Sequence, residues 1–265
     1  AIAKDLVEKG YHVLGSVRKQ SNAERLAAEF GKERFTALQF DVTDAAAIQV
    51  AAEQVGQSVS EQGLAGLVNN AGIAVPGPLL LTPVDEFRRQ FEVNLFGVIG
   101  VTQAFLPLLG ARKPCPPPPG KIINISSVGG RMAMPFLGPY AASKHALEAI
   151  SDSLRRELML YGIDVISVQP GTIKTPIWDK AAGFDLSRFA NSDYYAIAKT
   201  LLQQSIESGR TGRSPEVVAQ TVRYALETVH PCPHLTLPDS WLAWWIMRSL
   251  PSRWLDWLVA KRLGI

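Results

Sequence analysis

Cysteine is scarce in this chain: its 265 residues hold two, Cys115 and Cys232, far apart and each beside prolines. That excludes a disulfide framework and any familiar zinc spacing, and makes a reducing, cytoplasmic setting the expectation. Charge of one sign is equally scant. With 27 Lys and Arg against 24 Asp and Glu, the formal net charge is +3, too little to argue for a nucleic-acid partner. Long apolar runs are missing as well: the longest uncharged stretch, Gln62 to Val84, is broken by Gly, Pro and Asn, so no membrane-spanning segment is expected. Lys4, Asp5, Glu8 and Lys9 interrupt any apolar core at the start, against a secretory signal. No repeat of solenoid period is visible. What is present is 47% hydrophobic and 19% charged, enough apolar material for the core of one domain over residues 1–265.

The first ten residues place Ile2, Leu6 and alanines on one face and end at Gly10, as a helix does. Strands are then expected at YHVLGSV, RFTALQF, LAGLV, KIINIS and DVISVQP. Helices are expected around AERLAAEF and over 44–62, 83–111 and 139–161. Nearly continuous apolar strands alternating with helices predict an α/β fold, a doubly wound parallel sheet covered on both faces. Such sheets bind ligands at the carboxyl ends of their strands, where Arg18, Asp41, the run Asn69 to Gly72, Ser127 and the run Pro170-Gly171 stand. The segment 110–120, with five prolines, reads as a rigid loop, or else a proline-rich ligand. HPCPH at 230–234 reads as a surface turn, or else a metal clip short of a ligand.

Tyr140 and Lys144 stand four apart on an expected helix, hence on one face. An ammonium beside a phenol favours the phenolate and draws the group toward a pH where it exchanges protons efficiently. Ser127, thirteen residues earlier at a strand end, can hold a substrate oxygen beside that phenol. No G-x-S-x-G elbow surrounds it, which speaks against a serine hydrolase.

With NNAG at 69, Asn94 in VNLFG, ISS ending at Ser127, YAASK at 140 and PGTIKT at 170, residues 1–178 resemble the short-chain dehydrogenase/reductase family, in the family's motif order. The residues around SDSLRREL and the following lid region are similar to those of hydroxysteroid and retinol dehydrogenases. The resemblance implies a Rossmann-type sheet and an NAD(P)-dependent alcohol dehydrogenase or carbonyl reductase. It implies Tyr140 as general acid/base and Lys144 lowering the phenol pKa and bonding the nicotinamide ribose. Ser127 would orient the substrate oxygen, and Asn94 would hold a water of a proton relay. It further implies Asp41 and Val42 at the adenine, Asn69, Ala71 and Gly72 along the adenosine ribose, and Pro170, Gly171, Ile173 and Thr175 beside the nicotinamide. Val17 stands where NAD-specific members carry an acid and is followed by Arg18, suited to a 2′-phosphate, so NADP is expected, with NAD the alternative. A homodimer or homotetramer built on helices 83–111 and 139–161 is implied too.

One departure stands out. The family's opening strand and its glycine-rich turn, which lets backbone amides meet the pyrophosphate, do not precede AIAKDLVEKG. A fragment of a longer product is therefore expected, and a non-catalytic relative acting through contacts is the alternative function. Residues 176–208, with Trp178, Phe184, Phe189, Tyr194 and Tyr195, read as a substrate lid for an apolar alcohol or carbonyl, steroid, retinoid or other lipid-like. The extension from 239 to 265 holds five of the six tryptophans among basic residues. It suits a peripheral membrane contact, or a lid or subunit contact.

Overall fold

The computed structural model describes residues 1–59, 62–111, 118–175, 178 and 183–264. Helix α1 (Ile2–Glu8) stops as Gly10 takes φ +92°, a conformation that costs glycine little. Then come β1 (Val13–Val17), α2 (Gln20–Phe30), β2 (Phe35–Gln39), α3 (Ala45–Val59) and β3 (Gly66–Asn69), the alternation the apolar runs predict. Next is a long helical run: α4 (Val84–Phe91), a π-turn (Glu92–Phe96), α5 (Gly97–Phe105) and a 3₁₀ turn (Leu106–Leu109). β4 (Lys121–Ile125), α6 (Gly138–Glu157) and β5 (Val165–Pro170) complete the region anticipated from sequence.

All ladders are parallel, in two parts: β1 with β2, and β3-β4-β5-β6. No ladder joins β1 to β3 among the described residues. One apolar core nevertheless spans both parts, because Leu14 of β1, Leu38 of β2 and Leu67 of β3 all pack with Ile48, Val55 and Phe105. Ile122, Ile123, Val165, Ile166 and Val168 of the middle strands are at most 2% exposed. Burial of each contributes roughly 1.5–3 kcal/mol, which makes β4 and β5 the anchor of the sheet.

Three elements differ from expectation. His234, read as part of a surface turn, opens β6 (His234–Leu237), which pairs with β5 from Ser167 onward. A four-residue edge strand behind two prolines is too short to show alternation. The stretch 176–208, read as a substrate lid with no helix assigned, contains most of α7 (Tyr195–Thr211). The run Val84–Leu109 is long and apolar enough to cross a membrane by length and composition, although no such segment was expected. Here Leu95, Val98, Val101 and Phe105 bury its apolar face in the core.

Helix α8 (Pro215–Glu227) starts at Ser214, whose hydroxyl accepts from the Glu216 amide, with Pro215 at the first turn. Helices α9 (Trp241–Ser249) and α10 (Ser252–Leu263) end the described chain. Residues 112–117 of the expected proline-rich loop, Cys115 included, and 176, 177 and 179–182 of the expected lid lie outside the described residues.

Candidate active site

Helix α6 begins at the carboxyl ends of β4 and β5 and carries Tyr140 and Lys144 one turn apart. The Lys144 ammonium lies 5.9 Å from the centre of the Tyr140 ring. Lys144 is buried, and its Nζ donates to the Ile125 carbonyl at 2.7 Å, fastening the helix to the end of β4. Burial pushes its pKa down from 10.5 to about 8, against the pull of the Glu148 carboxylate. Ser127 follows β4 and turns the chain there, its Oγ accepting from the Gly129 amide at 3.0 Å and reaching the Pro170 carbonyl at 3.5 Å. Burial raises the Tyr140 phenol above 10, opposed by its hydrogen bond with Ser127. The direction is opposite to the lowering expected from Lys144, because desolvation of the phenolate is the largest effect on the group.

A buried carboxylate, Glu148, lies one further turn along the same helix face. It accepts from Ser167 Oγ at 2.6 Å, Gln169 Nε2 at 2.7 Å and Arg131 Nη2 at 2.9 Å. Arg131 follows the Ser127 turn, so its ion pair ties that turn to α6. The approach is close: a Cβ on Gly130 would come within 2.9 Å of Ser126 Oγ and 3.0 Å of the Lys144 carbonyl. His234 adds Nε2 to Asp152 at 3.2 Å and Nδ1 to Arg131 at 2.9 Å. Sequence reading missed Glu148, although its spacing from Tyr140 and Lys144 puts the three on one face.

Asn94 sits in the π-turn, where the Gly97 amide bonds back five residues to Glu92, a distortion frequent at functional sites. Its amide is engaged by protein: Nδ2 donates to the Ile73 carbonyl at 3.0 Å and Ser143 Oγ at 3.2 Å, and Oδ1 accepts from the Ile73 amide at 2.9 Å. Ser143 Oγ in turn donates to the Tyr140 carbonyl at 2.8 Å, linking Asn94 to the head of α6. The side chain expected to hold a relay water thus clamps the loop after β3. Gln90, fully buried one turn earlier and not foreseen, clamps the same loop at Ile73 and Val75. Ala71 and Gly72 lie exposed on that loop. Asn69 is buried instead, its Nδ2 donating to Asn124 Oδ1 at 2.8 Å and Thr102 Oγ1 at 3.1 Å.

Arg18 and Asp41 meet at the ends of β1 and β2, 3.8 Å apart and both partly in water. The Thr43 amide and hydroxyl hold the Asp41 carboxyl below its usual range, with Arg18 adding to the effect. Val42 lies against the long helix at Gly97, where a Cβ would come within 2.8 Å of the Val42 carbonyl. The exposed Arg18, beside Lys19, fits an anionic 2′-phosphate, and the buried Lys144 ammonium fits a ribose hydroxyl. That donor set matches the two ends of a phosphorylated dinucleotide.

After Pro170, the Gly171 amide donates to the Leu237 carbonyl at 2.9 Å and Ile173 bridges to Arg213. Trp178 Nε1 donates to the Ile173 carbonyl at 2.8 Å, and Thr175 precedes it at the edge of the described loop. Of the lid aromatics, Phe189 is buried with Arg188 stacked 5.0 Å away, and Phe184 lies 6.2 Å from it. Tyr194 meets Phe136 edge-on at 6.0 Å. Phe136 holds φ +64°, a left-handed conformation unusual for an aromatic residue, on the segment between Ser127 and Tyr140. A cavity of about 460 Å³ lies away from Tyr140, along β6 and α8 between Tyr224, Leu235 and Trp241.

The family model for short chain dehydrogenases matches residues 1–183. Over 219 residues, covering 83% of this chain and 76% of the relative, the sequence is 44% identical to an NADPH-dependent 3-dehydrocapnine reductase of Ornithobacterium rhinotracheale. It is 44% identical to human retinol dehydrogenase 5 over 177 residues, 66% of this chain and 53% of that protein. The chain thus spans about half the length of that relative. A short-chain dehydrogenase from Streptomyces avermitilis superposes with a TM-score of 0.77 at 28% identity, covering 98% of this chain and 92% of that structure. With the strand order, the Ser127–Tyr140–Lys144 cluster and a family match over more than half its length, the chain belongs to the short-chain dehydrogenase/reductase family of NAD(P)-dependent oxidoreductases.

Proposed function

We propose that this protein transfers hydride between NADP(H) and an apolar alcohol or carbonyl compound, with Tyr140 as the general acid/base. The observation that carries the reading is Tyr140 one helical turn from the buried Lys144, whose ammonium lies 5.9 Å from its ring, with Ser127 just beyond the end of β4. The dinucleotide, when bound, supplies or accepts the hydride. Ser127 orients the substrate oxygen toward the phenol. Tyr140, held above 10, is protonated at neutral pH and serves as the acid in carbonyl reduction. In the oxidative direction the phenol gives up its proton before it acts as base, and the Lys144 ammonium favours that ionisation while charged. Glu148 opposes the burial that would discharge Lys144. Arg18 receives the 2′-phosphate, and similarity to an NADPH-dependent reductase supports that preference. Asp41, Val42, Asn69, Ala71 and Gly72 take the adenosine side; Pro170, Gly171, Ile173 and Thr175 border the nicotinamide. Phe136 and Tyr194 make an apolar wall, which together with similarity to a retinol dehydrogenase supports a lipid-like substrate. Residues 1–265 act as one catalytic domain, and the α4–α5 and α6 helices pair copies into a dimer or tetramer.

NADPH consumption with a panel of apolar ketones and aldehydes tests the proposal. The native chain turns over, and Tyr140→Phe loses about 10²-fold or more in kcat while binding NADPH normally. Undiminished turnover in Tyr140→Phe removes the tyrosine from this role. A native chain that neither binds the dinucleotide nor turns over is a binding relative instead.

A further inference from the structure

Helices α9 and α10 present large apolar side chains to solvent. Only Trp244 of α9 is buried, while Trp241, Leu242, Trp245 and Ile246 form an exposed stripe at helical spacing. On α10 the half-buried Leu255, Val259 and Leu263 line one side, and Trp254, Trp257 and Leu258 form an exposed stripe on another. Trp241, Trp245 and Trp254 are each more than 60% exposed. Cations flank these stripes: Arg248 lies 5.5 Å from the Trp244 ring and Lys261 5.4 Å from Trp257. Arg253 and Arg262 add two more, against the lone Asp256 of this segment.

We propose that α9 and α10 form an arm that docks this protein on the surface of an anionic phospholipid bilayer. Tryptophans with cations on short helices match the headgroup boundary, where the indole lies among acyl chains and the charge reaches lipid phosphate. The helices have nine and twelve residues, against the roughly 20 needed to span, so they lie along the surface. A second copy of this chain is a poorer occupant, because stacking the two patches sets four cations against four in a low-dielectric contact. The root of the arm is held beside the candidate active site. Asp239, just ahead of α9, accepts from the Thr172 amide and the Thr172 hydroxyl, both at 2.9 Å. Gly171 leaves room for it, since a Cβ there would come within 2.8 Å of Asp239 Oδ1. Docking therefore brings the loop after Pro170 to the bilayer, from which a lipid-like molecule can enter.

Co-sedimentation of the full chain with phosphatidylcholine vesicles, with and without roughly one-third phosphatidylglycerol, tests this without reference to turnover. The expected result is sedimentation with the anionic vesicles and a blue shift of tryptophan emission. Binding falls about tenfold or more on neutral vesicles and in Arg253→Glu/Lys261→Glu. Trp245→Ser/Trp257→Ser, at exposed positions, keeps the native melting temperature and loses binding. Absence of sedimentation with either vesicle overturns the proposal, as does equal binding by the tryptophan variant. A concentration-dependent dimer that the tryptophan variant abolishes, without vesicle binding, overturns it in favour of a second copy.

Discussion

Lys144 is placed where function and stability oppose each other, and Lys144→Met measures the conflict. Its lowering from 10.5 to about 8 corresponds to roughly 3 kcal/mol of unfavourable charge burial, at about 1.4 kcal/mol per tenfold. Methionine fills a similar volume without the charge but leaves the Ile125 carbonyl without its donor, a loss of about 1–2 kcal/mol. The net effect at pH 7 is stabilisation by about 1–2 kcal/mol, or about 2–6 °C in melting temperature for a chain of this size. Because the folded-state value is below that of the unfolded chain, the unfolded chain alone holds the proton between pH 8 and 10.5. Raising pH through that window therefore favours the folded native protein. Below pH 8 the full burial cost is present. By pH 9.5 about 2 kcal/mol of it is gone, and the variant loses its advantage. Thermal unfolding of both proteins at pH 7 and pH 9.5 decides the matter, since other groups titrate alike in the two. A variant that melts lower at pH 7, or a difference between the proteins that is the same at both pH values, would refute the reasoning.

Arg18→Asp replaces the exposed guanidinium by a second carboxylate beside Asp41. The NADPH-to-NADH ratio of kcat/KM falls by about tenfold or more, the equivalent of one charge-assisted bond, and an unchanged ratio removes Arg18 from coenzyme choice. Glu148→Ala strips the carboxylate from Arg131, Ser167 and Gln169 and leaves a partly buried guanidinium short of a partner. Denaturant unfolding then shows a loss of about 3–5 kcal/mol, and a loss below 1 kcal/mol would mean that this network is not holding α6.

Local pattern carried much of the fold. The apolar runs that become β1 to β5 need no tertiary information, because a strand buried on both faces is apolar throughout. Gly10, at the end of α1, was readable because glycine takes φ +92° at little cost. Strand β6 was not readable, because its four residues acquire their identity from the waiting edge of β5. The helical character of Tyr195–Thr211 was hidden behind its aromatics, which read as a lid.

Of the candidate site, the sequence by itself determined what a single helix can determine: Tyr140 and Lys144 on one face, with Ser127 ending a strand before them. Arg18 and Asp41 were placed too, because strand ends in a parallel sheet lie along one edge. Only the tertiary structure decided how those groups ionise and what they hold. Tyr140 is raised rather than lowered because burial penalises its phenolate. Asn94 and Gln90 are clamps because the loop after β3 passes over them, fifteen to twenty-one residues distant in the chain. The Glu148 network joins residues 131, 148, 167 and 169, from a turn, a helix and a strand. Spacing along a chain fixes which side chains share a face, whereas desolvation and Coulomb forces depend on distances that exist only after the chain has closed on itself.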